Sequence, residues 1–382
     1  MHIGIIDADL IGRTKHRFPN LVSMKISNYY KISGGNRVDL ITEYTDNIKD
    51  YDKVFLSKVF TDTKVPDWVL DLPNIEYGGT GFFYDKAPPL PYEIEHCMPD
   101  YHLYDNYVQK QIDAGAKRNE FKYYLDYSIG FLTRGCFRQC EFCVNKNYKS
   151  VQEHSPLSEF VDTSRKKICL LDDNFFGCKN WKNILTGLME MNKPFQFKQG
   201  LDERLLTEEK VKMLRDSKYD GDYIFAFDNI ADYEIIEKKL KLLRKHITAS
   251  DNIKFYVLCG FDRNDKYDKE FWEQDLWDLF KRIELLMKYQ CLPYVMRYEK
   301  YNESPYRGTY INVAAWCNQP TAFKKKSYRE YVAYQQSRRK KECSETRYLK
   351  QVETDIPELA KTYFDMKIEY WNKEKNHEFN KC

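Results

Sequence analysis

Cys136, Cys140 and Cys143 lie in the run Gly135-Cys136-Phe137-Arg138-Gln139-Cys140-Glu141-Phe142-Cys143. The C-x3-C-x2-C spacing lets three thiolates from one short loop serve one inorganic centre. Structural zinc sites and ordinary iron–sulfur clusters take four protein ligands. Three leave one coordination position for something else to bind. The competing chemistry is a zinc knuckle with His154 as fourth ligand, although the spacing follows no common zinc pattern.

The elements that must position this loop repeat with a period of roughly 30 residues, the length of a strand-helix unit. Strands are predicted at 127–132, 168–171, 195–198, 224–227, 253–258 and 292–296. The first runs directly into the cysteine loop. Ser155-Pro156 reads as the N-cap and first turn of a helix through Lys166. Trp181, Ile184, Leu185, Leu188 and Met189 mark a helix face, and so do Trp272, Leu276, Leu279, Ile283 and Leu286. Six such units predict an open, partial β/α barrel over residues 125–300, with its ligand face at the strand C-termini.

Residues 1–100 have a separate rhythm. Strands at 2–6, 38–41, 53–56 and 75–77, with a helix over 20–31, predict a Rossmann-like domain with ligand loops at its strand ends. The Pro-rich break Ala87-Pro88-Pro89-Leu90-Pro91 and Pro99 close it. Residues 101–124 are expected as a linker and 301–382 as a mainly helical extension. In that extension Lys324-Lys325-Lys326 and Arg338-Arg339-Lys340-Lys341 flank Tyr328, Tyr331 and Tyr334, read as one helix. This is either a solvated helix packing aromatics on the barrel or a surface for RNA or peptide. The fold class is therefore α/β throughout, with a helical tail.

The cysteine loop at the end of the first strand of six β/α units resembles the radical S-adenosylmethionine (SAM) superfamily. In that family three Cys hold a four-iron, four-sulfur cluster, and SAM chelates the fourth iron through its amino and carboxylate groups. An electron from the cluster then cleaves SAM to methionine and a 5′-deoxyadenosyl radical, which abstracts hydrogen. The resemblance makes Cys136, Cys140 and Cys143 the cluster ligands and Phe142 the aromatic between the last two. Leu170-Leu171-Asp172-Asp173-Asn174-Phe175 resembles the second-strand segment, which implies that Asp172 and Asp173 face the SAM ammonium. Gln199-Gly200-Leu201-Asp202-Glu203-Arg204 resembles the third-strand segment, so Gln199 and Arg204 are expected at the ribose and carboxylate. Asp228 ends the fourth strand, and Gly260 lets the backbone approach the adenine.

The same family includes members with an N-terminal cobalamin-binding domain. Their pattern is Asp-x-His-x-x-Gly, then Ser-x-Leu, then Gly-Gly. Here Asp7, Gly12, Ser57, Gly78 and Gly79 match that frame, but Asp9 replaces the cobalt-ligating histidine. A carboxylate is a poor substitute for imidazole on that metal. The resemblance thus implies either a cobalamin site or a degenerate domain.

Composition sets the remaining bounds. A net charge of +3 on 382 residues gives no global field for nucleic acid. No apolar run reaches membrane length, and the first residues lack a signal-peptide pattern, so a cytosolic protein is expected. Its eleven cysteines then read as thiols or metal ligands. Cys169 and Cys259 fall in core strands, while Cys291, Cys317, Cys343 and Cys382 are a set that convergence in space would make a second site. Three functions follow: hydrogen abstraction by a radical SAM enzyme, cobalamin-dependent methyl transfer, or a non-catalytic zinc scaffold. The enzyme readings imply an electron donor such as flavodoxin or ferredoxin and a small-molecule, peptide or RNA substrate. Arg297, Tyr298 and Arg307 are candidates for an acidic group on it. No residue acting on that substrate is assigned.

Overall fold

The computed structural model describes residues 1–368 except 14, 147, 249 and 250. The chain divides into two compact units, Met1–Gln199 and Gly200–Cys382.

In the first unit, strands β1 (His2–Asp7), β2 (Arg37–Ile41), β3 (Lys53–Ser57) and β4 (Ile75–Gly78) form an all-parallel sheet in the order β2-β1-β3-β4. Ile3, Ile5 and Ile6 are fully buried, as expected for a central strand covered on both faces. The helix Leu21–Gly34 starts where the Asn20 side chain accepts from the Ser23 N–H and stops at Gly35 in the left-handed region.

A second parallel sheet, β5 (Tyr127–Gly130), β8 (Lys167–Leu170) and β9 (Phe195–Phe197), has the order β5-β8-β9. Between β5 and β8 the chain makes a two-residue antiparallel ladder, β6 (Thr133–Arg134) with β7 (Gln152–Glu153). One apolar core runs through Ile3, Met24, Tyr101, Tyr104, Phe121, Tyr124, Ile129 and Cys169.

Two expectations change here. The stretch 101–124, expected as a linker, carries the helix Asp105–Asp113 and a turn at Lys122–Leu125, with Val108, Phe121 and Tyr124 buried in that core. Buried Arg165 pins it by donating to the carbonyls of Tyr101, Tyr124 and Tyr127. The helix expected from Ser155 to Lys166 is reduced to one 3-10 turn, Leu157–Glu159. Phe160 turns inward instead, against Gly130, where a Cβ would lie 2.3 Å from its ring. Its carbonyl accepts from the Tyr101 hydroxyl at 2.6 Å, so the chain cannot continue outward as a helix.

In the second unit, β10 (Tyr223–Ala226), β11 (Ile253–Cys259) and β12 (Leu292–Arg297) form a parallel sheet in sequence order. The helix Lys269–Lys288 buries Trp272, Leu276, Leu279, Ile283 and Leu286, the face predicted from spacing. The six strands expected of a barrel are all present, hydrogen-bonded as two sheets of three.

The C-terminal segment is helical through Tyr363. Tyr328 and Tyr331 are buried, with Tyr328 against Phe280, Trp316 and Phe364. The two basic runs lie outside the helix Tyr328–Ser337, one before it and one after it, not along it as expected. Proximity to Ser327, whose side chain caps that helix, explains the break after Lys326. Among the described residues no helix is long and apolar enough to cross a membrane.

Candidate metal centre

The cysteine loop is a closed excursion from the first unit's second sheet. Its base is the β6–β7 ladder, in which Thr133 pairs with Glu153 and Arg134 with Gln152. The loop leaves β6 through Gly135 at φ +97°, where a Cβ would stand 2.4 Å from the Ser150 carbonyl and 2.6 Å from Tyr148 Cβ. That backbone conformation and that approach both require glycine. Gln139, also at positive φ, donates its amide to the carbonyls of Cys136 and Tyr148, tying the two sides of the loop. A turn from the Cys143 N–H to the Cys140 carbonyl sets the last two cysteines.

Two carboxylates at the end of β8 fasten the loop. Asp172 is 1% exposed. It accepts from the Leu132 N–H, the Thr133 N–H and the Thr133 hydroxyl. Burial pushes its carboxyl up to about 7. Asp173 accepts from the Gly135 N–H at 2.8 Å and from Asn145 Nδ2 at 2.6 Å, one on each side of the cysteines. Both residues expected at an ammonium therefore have their oxygens engaged by the loop.

The three cysteines are half-buried and carry no disulfide. The Arg138 N–H lies 3.4 Å from Cys136 Sγ and the Asn145 N–H 3.4 Å from Cys143 Sγ. Asn174 Nδ2 is also 3.4 Å from Cys136 Sγ. N–H donors aimed at sulfur favour the thiolate, the form that binds metal. Against this, burial raises the Cys143 thiol, a cost that a bound cation offsets.

Among the described residues no three His, Cys, Asp or Glu side chains are gathered to hold a single ion. Each thiolate of a cluster binds its own iron, so such cysteines need not meet at one point. His154, the alternative fourth ligand, has other partners: Nδ1 bonds Ser155 Oγ at 3.0 Å and Nε2 lies 3.6 Å from Glu95. Its imidazolium is disfavoured by burial, to about 4.

Phe142 is half-buried, and its carbonyl accepts from the Tyr84 hydroxyl at 3.3 Å. Gln199 is exposed at the end of the first unit. In the second unit, Arg204 is held by Asp202 and Asp232 at 2.8 Å each. The neighbouring Glu203 is 1% exposed, accepts from the Ala226 N–H, and is pushed up to about 8 by burial. Asp228 accepts from the Leu258 N–H, and burial raises its carboxyl too. Arg282 links these strand ends by donating to the carbonyls of Phe227, Asp228 and Leu258. Gly260 takes φ +74° and donates its N–H to half-buried Asp275. Arg297 lies over Tyr301, and Arg307 donates to Asn302.

The strand ends of the N-terminal sheet are filled by their own side chains. Asp7 is fully buried and accepts from the Leu10 N–H and the Tyr104 hydroxyl. Asp9, 1% exposed, accepts from the Val59 N–H at 2.7 Å and the Thr63 hydroxyl at 2.5 Å. A Cβ on Gly12 would meet Thr63 at 2.8 Å. Ser57 accepts from Asn20. Gly79, at φ +103°, lies against the Lys58 carbonyl, whereas Gly78 has open space. Cys291, Cys317 and Cys343 are buried, and Cys382 lies outside the described residues.

Sequence reasoning missed Gly135, Asn145, Asn174 and Tyr84. Only Gly135 and Asn174 had a visible signal, since both lie inside the quoted runs but were given no role.

No protein-family model matches the chain, and no curated protein matches it. Among solved structures it is similar to the cobalamin-dependent S-adenosylmethionine radical enzyme OxsB. Against OxsB with aqua-cobalamin and S-adenosylmethionine bound, the TM-score is 0.47 at 12% identity, over 100% of this chain and 66% of that one. Against the apo, selenomethionine-labelled form it is 0.45 at 14% identity, over 73% and 51%. The chain thus spans between half and two thirds of that neighbour's length.

Proposed function

We propose that this chain is a radical SAM enzyme whose cluster ligands are Cys136, Cys140 and Cys143. The observation that carries the reading is three thiols in one loop, closed at its base and fastened on both flanks, with the nearby imidazole engaged elsewhere. A four-iron cluster bound there would supply the electron that cleaves the sulfonium of SAM and so starts hydrogen abstraction. The chain's own part is positional. Asp172 and Asp173 hold the loop, Gly135 lets it turn, and backbone N–H groups face the sulfurs. In the second unit Arg204, Asp228 and Gly260 are assigned to SAM, with Arg282 and Asp275 supporting their backbone. The electron comes from a flavodoxin- or ferredoxin-type donor.

Cobalamin-dependent methyl transfer is the weaker reading. Asp9 stands where the cobalt ligand belongs, and both its oxygens are taken by Val59 and Thr63.

Anaerobic reconstitution with iron and sulfide, followed by dithionite and SAM, tests the proposal. A brown protein that forms 5′-deoxyadenosine is expected, and Cys140→Ala should load no cluster while keeping its circular dichroism. A colourless, zinc-loaded protein that leaves SAM intact would sink the enzyme reading. Retention of hydroxocobalamin through desalting would restore the methyl-transfer one.

A further inference from the structure

Asn174 opens a single 3-10 turn, Phe175–Gly177. Asparagine in that position ordinarily turns its side chain onto the turn's own N–H groups. Here it makes no capping bond. It is 2% exposed, and its Nδ2 points at Cys136 Sγ, 3.4 Å away. The residue is fixed from both sides. Phe175 and Phe176 are buried behind it, and its carbonyl accepts from the Gly177 N–H. Its local backbone therefore gives up a cap to aim an amide at sulfur.

We propose that Asn174 is a positioning residue that raises the reduction potential of a cluster bound through Cys136. The inference rests on the cluster reading above and deepens it. One-electron reduction places added negative charge on the cluster and its thiolates. An N–H dipole directed at Sγ stabilises that charge, and does so more strongly in a buried setting than in water. Hydrogen bonds to the sulfurs are one of the means by which proteins set cluster potentials. An amide does not titrate, so its effect is constant with pH. In the step concerned, one electron passes from the reductant to the cluster, and no proton moves and no bond to Asn174 forms or breaks.

The test compares wild type, Asn174→Ala and Asn174→Asp after anaerobic reconstitution, with iron counted per chain. Midpoints are read by electron paramagnetic resonance during titration with dithionite. Asn174→Ala is expected to lower the reduced-to-oxidised ratio at fixed potential about tenfold, which is ~59 mV for a one-electron couple. Asn174→Asp, of the same shape but presenting an acceptor, should lower it further. Should the alanine variant fail to fold, the isosteric aspartate variant carries the comparison. An unchanged midpoint in fully loaded variants overturns the proposal, as does lower iron content with no shift in the loaded fraction. Wild type that assembles no cluster overturns the function proposed above, and this inference with it.

Discussion

Gly135 shows how much of this site depends on single backbone positions. Any side chain there meets the Ser150 carbonyl and Tyr148 while adopting a left-handed φ, a strain of about 1–3 kcal/mol before the clash is counted. Gly135→Ala should therefore lose iron and sulfide binding, with the thermal midpoint falling by only a few degrees because the loop buries little apolar surface. Iron analysis and circular dichroism melting check this, and a fully loaded Gly135→Ala would mean that the loop's shape is set elsewhere. At this scale the sequence was partly legible. The cysteine loop stood out because its spacing is a local property. Asp172 and Asp173 were visible as strand-end carboxylates, but their donors were not. Which N–H groups they meet depends on β5 ending at Gly130, a register between strands that local pattern does not encode.

Among the elements, every long strand and the amphipathic helices Trp181–Glu190 and Lys269–Lys288 were legible from apolar periodicity. The β6–β7 ladder was not, since two residues carry no period. The failed helix after Ser155 has a good start signal, but Phe160 burial and the Tyr101 bond override it. Element ends in the second unit depend on Arg282, which joins β10 to β11 through three carbonyls. Arg282→Met leaves those acceptors buried and unpaired, which should cost about 3 kcal/mol or more. Urea unfolding measures it, and a loss below about 1 kcal/mol would show that water replaces the guanidinium there.

For the whole molecule, carboxyls raised by burial set a pH response, Asp228 and Asp275 among them. Burial pushes Asp7 and Asp172 up to about 7 and Glu203 up to about 8. A carboxyl raised in the fold holds its proton more tightly there than in the open chain. Its contribution to stability is full below the unfolded value near 4 and is lost as pH rises through the folded one. Asp39, Asp100 and Asp126, lowered in the fold, contribute in the opposite sense, with their loss confined to acid below the ordinary carboxylate range. Unfolding free energy should thus fall between about pH 5 and about pH 8. Glu203→Gln should flatten that slope and unfold at higher urea than wild type near the alkaline end, and an unchanged slope would refute the assignment. The α/β class was readable at this scale. The helical packing of residues 101–124 was not, because its buried residues are interleaved with polar ones and answer to a core made by distant strands.

The ladder at the base of the cysteine loop bears on the order of manufacture. In a zinc finger the ion is the keystone, and the chain is shapeless without it. Here strand pairing, two carboxylates and a glycine shape the loop through contacts within the chain. On the proposed reading the fold would be made before its inorganic part, and losing that part would leave the ladder and its fasteners standing.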